Sequence, residues 1–384
     1  SEAVLSGVKD IIKKNKIDPK NCRIIHGTTL VANALIERKG VKTALLTTQG
    51  FKDVLEIGRE WRYDLFSLDL EMPLSIVPRH LRFEIEERMN FKGEIIKSLD
   101  ETGLIKVAKK IAKSGVETLA IVFMHSFKNA IHEKLAKKII EAHVPNLNIC
   151  LSSIVSPEIG EYERTSTSVA NAYVQPIFKS YVTSLVKGLK KIGITNDLFL
   201  MLSDGGIVHQ KTAIEFPIRL VQSGPAGGAQ AATLYGKILK QNNVLCFDMG
   251  GTTAKACLIE NGKPNRTTIF EVARVFRFSK GSGLPLQVPV VDMIEIGAGG
   301  GSIARIDGMG LIQVGPDSSS SYPGPACYGL GGLLPTVTDS DLILGYIDAE
   351  NFLGGDMKLI KENAERAIKE HIADPLGITI LNAA

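Results

Sequence analysis

The sequence predicts an α/β protein with mainly parallel strand pairing, organised as two domains. Three observations point there. From the start to about Cys150, short β-rich runs alternate with helical patterns, the order in which parallel strands and their crossover helices are written. After Pro157 a long helical stretch, IGEYERTSTSVANAYVQPIFKSYVTSLVKGLKKIG, separates two halves of the chain. The 384 residues, 44% of them hydrophobic, are ample for a large core, and the length favours two domains over one extended domain. The expected division is 1–155 and 156–384.

In the first half, CRIIHG, TALLTT, TLAIVFM and LNICLS read as strands because β-branched and apolar residues run together over strand length. SEAVLSGVKDIIKKN, TLVANALIERKG, LIKVAKKIAKSG and AIHEKLAKKIIEAH repeat their apolar residues at helical spacing. Between Phe51 and Met89 the pattern breaks into an irregular segment holding the only tryptophan, Trp61, and such excursions are more often functional or interface loops than spacers. The long helical stretch is expected to be interrupted at Pro176, which has no N–H to give, and to end at Gly193.

The second half opens with the strand LFLML, the turn SDGG and the segment VQSGPAGGAQAATLYGKIL, in which glycines precede a helix of small residues. VLCFDMGGTTAKACLIENG then reads as buried strand, turn and buried strand. Glycine density rises from Gly297. The serine run Ser318 to Ser321 fits a flexible linker by composition, whereas the flanking Pro-Gly turns favour a shaped loop. Helical pattern resumes at Lys358 and ends near His371.

Composition narrows the partners. Lys plus Arg total 45 against 41 Asp plus Glu, a formal charge of +4, too balanced to argue for nucleic acid, so a small molecule is the default ligand. The five cysteines form no C-x-x-C pair, which suits reduced thiols in the cytoplasm. The first residues are amphipathic and do not resemble a signal peptide. No apolar run approaches the roughly 18 residues of a membrane span.

Asp248-Met249-Gly250-Gly251-Thr252-Thr253 has the chemistry of a triphosphate grip. Glycines let backbone N–H groups approach phosphate oxygens and adopt positive φ, threonine hydroxyls add donors, and the carboxylate can hold Mg²⁺ through water. A tight β-hairpin turn explains the same residues without a ligand. No G-x-x-x-x-G-K-[ST] is present, and Gly297 to Ser302, GAGGGS, only approximates G-x-G-x-x-G.

Other residues carry paired readings. His26-Gly27-Thr28-Thr29 sits at a strand end before a helix and can offer N–H groups to an anion, or it is a satisfied structural turn. Arg59 and Arg62 can grip a carboxylate or the carbonyl of a cyclic amide, or they are solvated loop arginines. Glu161, Glu163 and Arg164 fall within one helical turn and can pair with one another on a surface face. Asp204-Gly205-Gly206 and Ser223-Gly224-Pro225 read as turns at strand-to-helix junctions, where open α/β sheets place ligands. Asp339 and Asp341 suit helix N-caps. Neither G-x-S-x-G nor H-E-x-x-H occurs, so local serine or zinc hydrolase chemistry has no signature.

Taken together and in order, HGTTLVANALIERKG, LLTTQGFKDVLEIGR, SPEIGEYERTSTSVANAYVQP, SDGGI, SGPAGG, FDMGGTTAK, IGAGGGSIA, VGPDSSSSYPGPACYGLGG and PTVTDSDLILGYID resemble the hydantoinase A / 5-oxoprolinase family, which includes N-methylhydantoinase and acetone carboxylase subunits. The resemblance runs from about His26 to Asp356. It implies the two-domain α/β ATPase architecture of actin, sugar kinases and Hsp70, a ribonuclease H-like fold, with ATP and Mg²⁺ held by DxGGT hairpins. It implies catalytic roles for Asp248, Lys255 and His26, with Asp248 near the metal. Nucleotide contacts fall to Gly250, Gly251, Thr252 and Thr253, with Gly297, Gly299, Gly300, Gly301 and Ser302, and with Ser223, Gly224 and Gly227. Thr28, Asn33, Arg59, Arg164 and Asp204 are substrate candidates.

Two departures stand out. Most family members follow the glycines with Ser/Thr-Thr-Asp where this chain has Thr253-Ala254-Lys255; Lys255 either places a cation on the γ-phosphate or snorkels out of the strand. A second DxGGT hairpin upstream and a further glycine-rich turn downstream, both implied by the resemblance, do not occur in this sequence, which therefore reads as a fragment or as half of a clamp. The function implied is an ATP-dependent cyclic amide hydrolase subunit. It would phosphorylate a hydantoin- or lactam-like ring for opening with a hydantoinase B-type subunit, as a hetero-oligomer. A carboxylase subunit activating a ketone or bicarbonate, and a non-catalytic binding module, are the alternatives.

Overall fold

Four strands that alternate with helices build a parallel sheet in the order Arg82–Ile85, Thr43–Thr48, Thr118–Val122, Asn148–Leu151. The computed structural model describes residues 2–276 and 279–384. Side chains along a strand point alternately to opposite faces, and both faces of this sheet are covered. Ala44, Leu46, Leu119 and Ile121 pack with Leu104, Ala108 and Ile111 of helix Glu101–Ser114 and with Ala136 and Ile140 of helix Ile131–His143. Leu45, Ala120 and Val122 pack on the other side with Val169, Ala170 and Tyr173 of the long helix Glu161–Ile192. Burial on both faces is why these strands read as unbroken apolar runs.

Helix Glu161–Ile192 continues through Pro176, against the expected interruption. An interior proline costs about 3 kcal/mol, and two features of the packing outweigh it. Every residue from Glu163 to Val174 is buried, and beyond the proline Phe178, Val182, Leu185 and Leu189 keep one apolar stripe in the core. The helix ends at Gly193, which takes φ 98° and donates its N–H to the carbonyls of Leu189 and Lys190.

Strand Ile24–His26 leaves the layer to which its neighbours in sequence belong. It pairs in parallel with Leu198–Met201, which in turn pairs antiparallel with Ile207–His209. Pattern identifies a strand; it does not identify the partner. The turn SDGG consequently closes a β-hairpin and does not lead into a helix, with the Leu202 N–H on the Gly206 carbonyl at 2.7 Å. Strand Arg82–Ile85 lies inside the segment read as irregular, hidden by the charges around it. The middle of that excursion is open to solvent, Phe66 at 94% and Leu68 at 97% exposure, whereas Val77, Leu81, Glu87 and Met89 are buried.

The chain forms two compact units, one from the start to Ala231 with Arg266–Val291, the other Ala232–Asn265 with Asp292–Ala384. In the second unit Val244–Met249, Ala254–Glu260 and Lys263–Pro264 form an antiparallel ladder, and Ile294–Ile296 pairs with Ala254–Glu260 on its free stretch. Val244–Met249 is an edge strand, with Leu245 64% and Phe247 59% exposed, where burial was expected. Ala254–Glu260 has neighbours on both sides and buries Ala254, Cys257 and Ile259. Helix Val337–Ile343 is capped by Thr336, and Asp339 is the third residue of a capping box, so the expected cap role of Asp339 and Asp341 belongs to Thr336. Among the described residues no helix is long and apolar enough to cross a membrane.

Candidate functional site

The DMGGTT segment is the tip of an antiparallel hairpin in the second unit. Asp248 lies opposite Lys255 and Met249 opposite Ala254, so the loop is Gly250-Gly251-Thr252-Thr253, closed by the Gly250 N–H on the Thr253 carbonyl at 2.9 Å. Within the described chain the N–H groups of Gly251, Thr252 and Thr253 donate to no acceptor, and the two threonine hydroxyls have no partner. The Asp248 carboxylate is exposed and forms neither an ion pair nor a hydrogen bond. Three N–H donors, two hydroxyls and a free carboxylate on one tight turn are a donor set for an anionic phosphate and its counter-cation.

The GAGGGS loop is built against this turn. The N–H of Gly300 donates to the Gly250 carbonyl at 2.9 Å and that of Gly301 to the Gly251 carbonyl at 2.8 Å. Ser302 Oγ accepts from the Gly299 N–H at 2.9 Å and so closes the loop on itself. None of Gly250, Gly251, Gly299, Gly300 or Gly301 is left-handed, and close approach is the constraint at Gly299, Gly300 and Gly301. A Cβ on Gly299 would stand 2.5 Å from the Gly250 oxygen and the Thr252 nitrogen; one on Gly251 would meet nothing within 4 Å. The fold therefore requires glycine at 299 but not at 251.

Further residues complete the cluster. Thr338 gives both its N–H and its hydroxyl to the Gly300 carbonyl at 2.8 Å. Ser319 gives its N–H to the Gly301 carbonyl at 2.8 Å, and Ser318 Oγ reaches the Gly251 carbonyl at 3.4 Å. The serine run is thus a shaped loop, continuing strand Ile312–Ser318. Asp339 is fully buried and accepts from the N–H groups of Ala326, Cys327 and Thr336. It anchors the helix that carries Thr338. Sequence reasoning missed Ser318, Ser319 and Thr338 as site-building residues because isolated hydroxyl side chains carry no spacing signal.

A second cluster forms in the first unit. His26 Nε2 lies 2.7 Å from the Tyr181 hydroxyl, and burial lowers the His26 pKa, so its imidazole is neutral at pH 7. The Thr28 N–H donates to Ser223 Oγ at 3.3 Å, at the start of helix Ser223–Ile238. Gly27 and Gly224 bring these two turns together, a Cβ on Gly27 standing 3.6 Å from the Gly224 Cα. Gly227 packs against Met201, and Asp204 accepts from the Gly206 N–H at 2.9 Å. Asn33 is exposed on helix Leu30–Ile36.

The charged residues of EYER do not pair with one another. Glu163 binds Arg59, whose guanidinium stacks 5.1 Å over Trp61. Arg164, 1% exposed, donates to Ser126, to Ser152 and to the Phe123 carbonyl, and Ser152 in turn donates to the buried Glu133. These bonds tie the long helix to loops at the carboxyl ends of the parallel strands. Arg62 is held by the Ser67 carbonyl.

Comparison with known proteins follows from these features. The Hydantoinase/oxoprolinase family model matches residues 164–384, and that of the Hydantoinase/oxoprolinase N-terminal region matches residues 1–144. The caprolactamase subunit alpha of Pseudomonas jessenii is 37% identical, over 94% of this chain and 51% of its own length. The acetophenone carboxylase gamma subunit of Aromatoleum aromaticum is 33% identical, over 94% of this chain and 50% of its own. The crystal structure of the ATP-dependent caprolactamase from Pseudomonas jessenii matches with a TM-score of 0.80 at 34% identity, covering 99% of this chain and 55% of that one. The α/β architecture of the actin, sugar kinase and Hsp70 kind therefore stands. The chain spans about half the length of the curated relatives it matches.

Proposed function

The chain belongs to the hydantoinase/oxoprolinase family, and from that premise we propose that it is the nucleotide-binding part of an ATP-dependent enzyme that opens a hydantoin- or lactam-like ring. The observation that carries the reading is the DMGGTT turn, with three N–H donors and an Asp248 carboxylate that are unpaired among the described residues. ATP, when bound with Mg²⁺, supplies a phosphoryl group that turns the ring amide oxygen into a leaving group. The N–H groups of Gly251, Thr252 and Thr253 would bind phosphate oxygens, and Asp248 would hold the metal ion. The buttress formed by Gly297, Gly299, Gly300, Gly301 and Ser302 presents those donors without reorganisation, the condition under which backbone dipoles stabilise developing charge most effectively.

In the first unit His26, Thr28, Asn33, Arg59 and Asp204 are the substrate-side residues, with Ser223, Gly224 and Gly227 shaping the helix start. A neutral His26 can accept a proton, or orient a carbonyl through its bond to Tyr181. Arg164 acts through the segments it ties, because it is buried and its Nη1 and Nη2 donate inside the fold, Nε alone having no partner among the described residues. Ring opening is completed with a hydantoinase B-type subunit in a cytoplasmic hetero-oligomer; the subunit names of the relatives support an assembly of this kind.

The acetophenone carboxylase relative favours a second reading, in which the same grip activates a ketone or bicarbonate. ADP release measured with the B-type partner separates the two. The first reading expects release that depends on a lactam or hydantoin. Release that requires a ketone with bicarbonate selects the second, and release with neither set of substrates removes both.

A further inference from the structure

Three charges lie in one row across the second unit's sheet. Asp248 is directly opposite Lys255, and Lys255 is directly opposite Glu295, on neighbouring strands. Residues so paired share a face, with Cβ atoms about 5 Å apart, so the Lys255 ammonium can reach either carboxylate. It takes one: Lys255 Nζ lies 3.7 Å from Glu295 Oε1, while Asp248 has no ion pair among the described residues. Lys255 is the better buried of the two partners, its side chain 21% exposed against 42% for Glu295.

We infer that Glu295 is a positioning residue that draws Lys255 away from Asp248 and so keeps that carboxylate available to a divalent cation. The inference rests on the nucleotide reading above and adds to it a residue outside the glycine turns. Its physical basis is competition. An ammonium bound to Asp248 would neutralise the charge that attracts the cation, and Glu295 offers that ammonium an equivalent partner on the far side. If Glu295 is neutralised, the nearest opposite charge in the row is Asp248, two residues before the phosphate turn.

The test is calorimetric titration of the 384-residue chain with ATP at a series of Mg²⁺ concentrations. Glu295→Gln is expected to raise the Mg²⁺ concentration for half-maximal nucleotide binding by about 10-fold, the scale on which groups that orient a ligand change metal affinity. Glu295→Asp, which keeps the charge, is expected to retain the parent requirement. Lys255→Met combined with Glu295→Gln is expected to restore it to within roughly 2-fold, because the competing ammonium is gone; a merely structural role for Glu295 would not be rescued in this way. An unchanged Mg²⁺ requirement in Glu295→Gln, or a double variant as impaired as the single one, overturns the inference while leaving the nucleotide reading in place. If Asp248→Ala binds Mg-ATP as the parent does, the nucleotide reading itself fails, and the role of Glu295 fails with it.

Discussion

Asp248→Ala is expected to abolish saturable binding of Mg-ATP in titration calorimetry while the chain keeps its parent melting temperature. Both halves follow from the geometry. The Asp248 side chain is exposed and makes no hydrogen bond or ion pair among the described residues, so its removal is expected to leave stability within about 0.5 kcal/mol. The same carboxylate is the only acid on the turn, and removal of a group that holds a metal lowers affinity by about 100-fold or more, beyond the 10–100-fold seen for supporting groups. A variant that binds as the parent does, or one that loses binding only because it has unfolded, would remove Asp248 from the site.

Two glycines of the cluster behave oppositely on gaining a methyl group. Gly299→Ala places a Cβ 2.5 Å from the Gly250 oxygen and the Thr252 nitrogen, both of them backbone atoms. The two loops must separate, at a cost of about 1–3 kcal/mol for an overpacked contact, and the bonds from Gly300 and Gly301 that hold the turn are strained with them. Gly251→Ala meets nothing within 4 Å and requires no left-handed backbone, so stability stays within about 0.5 kcal/mol of the parent. Its nucleotide affinity nonetheless falls by about 10-fold or more, because the methyl group stands where a phosphate must approach the chain. Denaturant unfolding and calorimetry on both variants check the pair. Parent-like nucleotide binding by Gly251→Ala would show that ligand does not come close at that turn.

The elements of the parallel sheet were legible because burial on both faces writes long apolar runs, and the helices on either side show their spacing plainly. What pattern cannot carry is pairing. Ile24–His26 reads as a strand of the first layer and pairs instead with Leu198–Met201, and Arg82–Ile85 completes the sheet from inside a segment with no visible period. Pro176 misled for a related reason: local chemistry argued for a break, and tertiary burial on both sides overrode it.

At the site, the hairpin was legible from its glycines and acid. The glycine loop was legible as a loop, but not as the buttress of that hairpin, since contacts between positions 250 and 300 leave no trace in local sequence. Lys255 was visible as a departure, whereas Glu295 became visible only through strand register. The reason for the glycines also differs from expectation. Positive φ is not needed at Gly250 or Gly251; close backbone approach is the constraint, and it falls on Gly299, Gly300 and Gly301.

Amide hydrogen exchange at Gly251, Thr252 and Thr253, with and without saturating Mg-ATP, tests the central claim at the atoms concerned. These N–H groups have no acceptor among the described residues, so they should exchange rapidly in the free protein and become protected when phosphate oxygens take up their hydrogens. Protection confined to this turn and its Gly297 to Ser302 buttress is the expected result. Saturating nucleotide that leaves all three amides exchanging at their free rate would contradict the assignment of the DMGGTT turn as the phosphate grip.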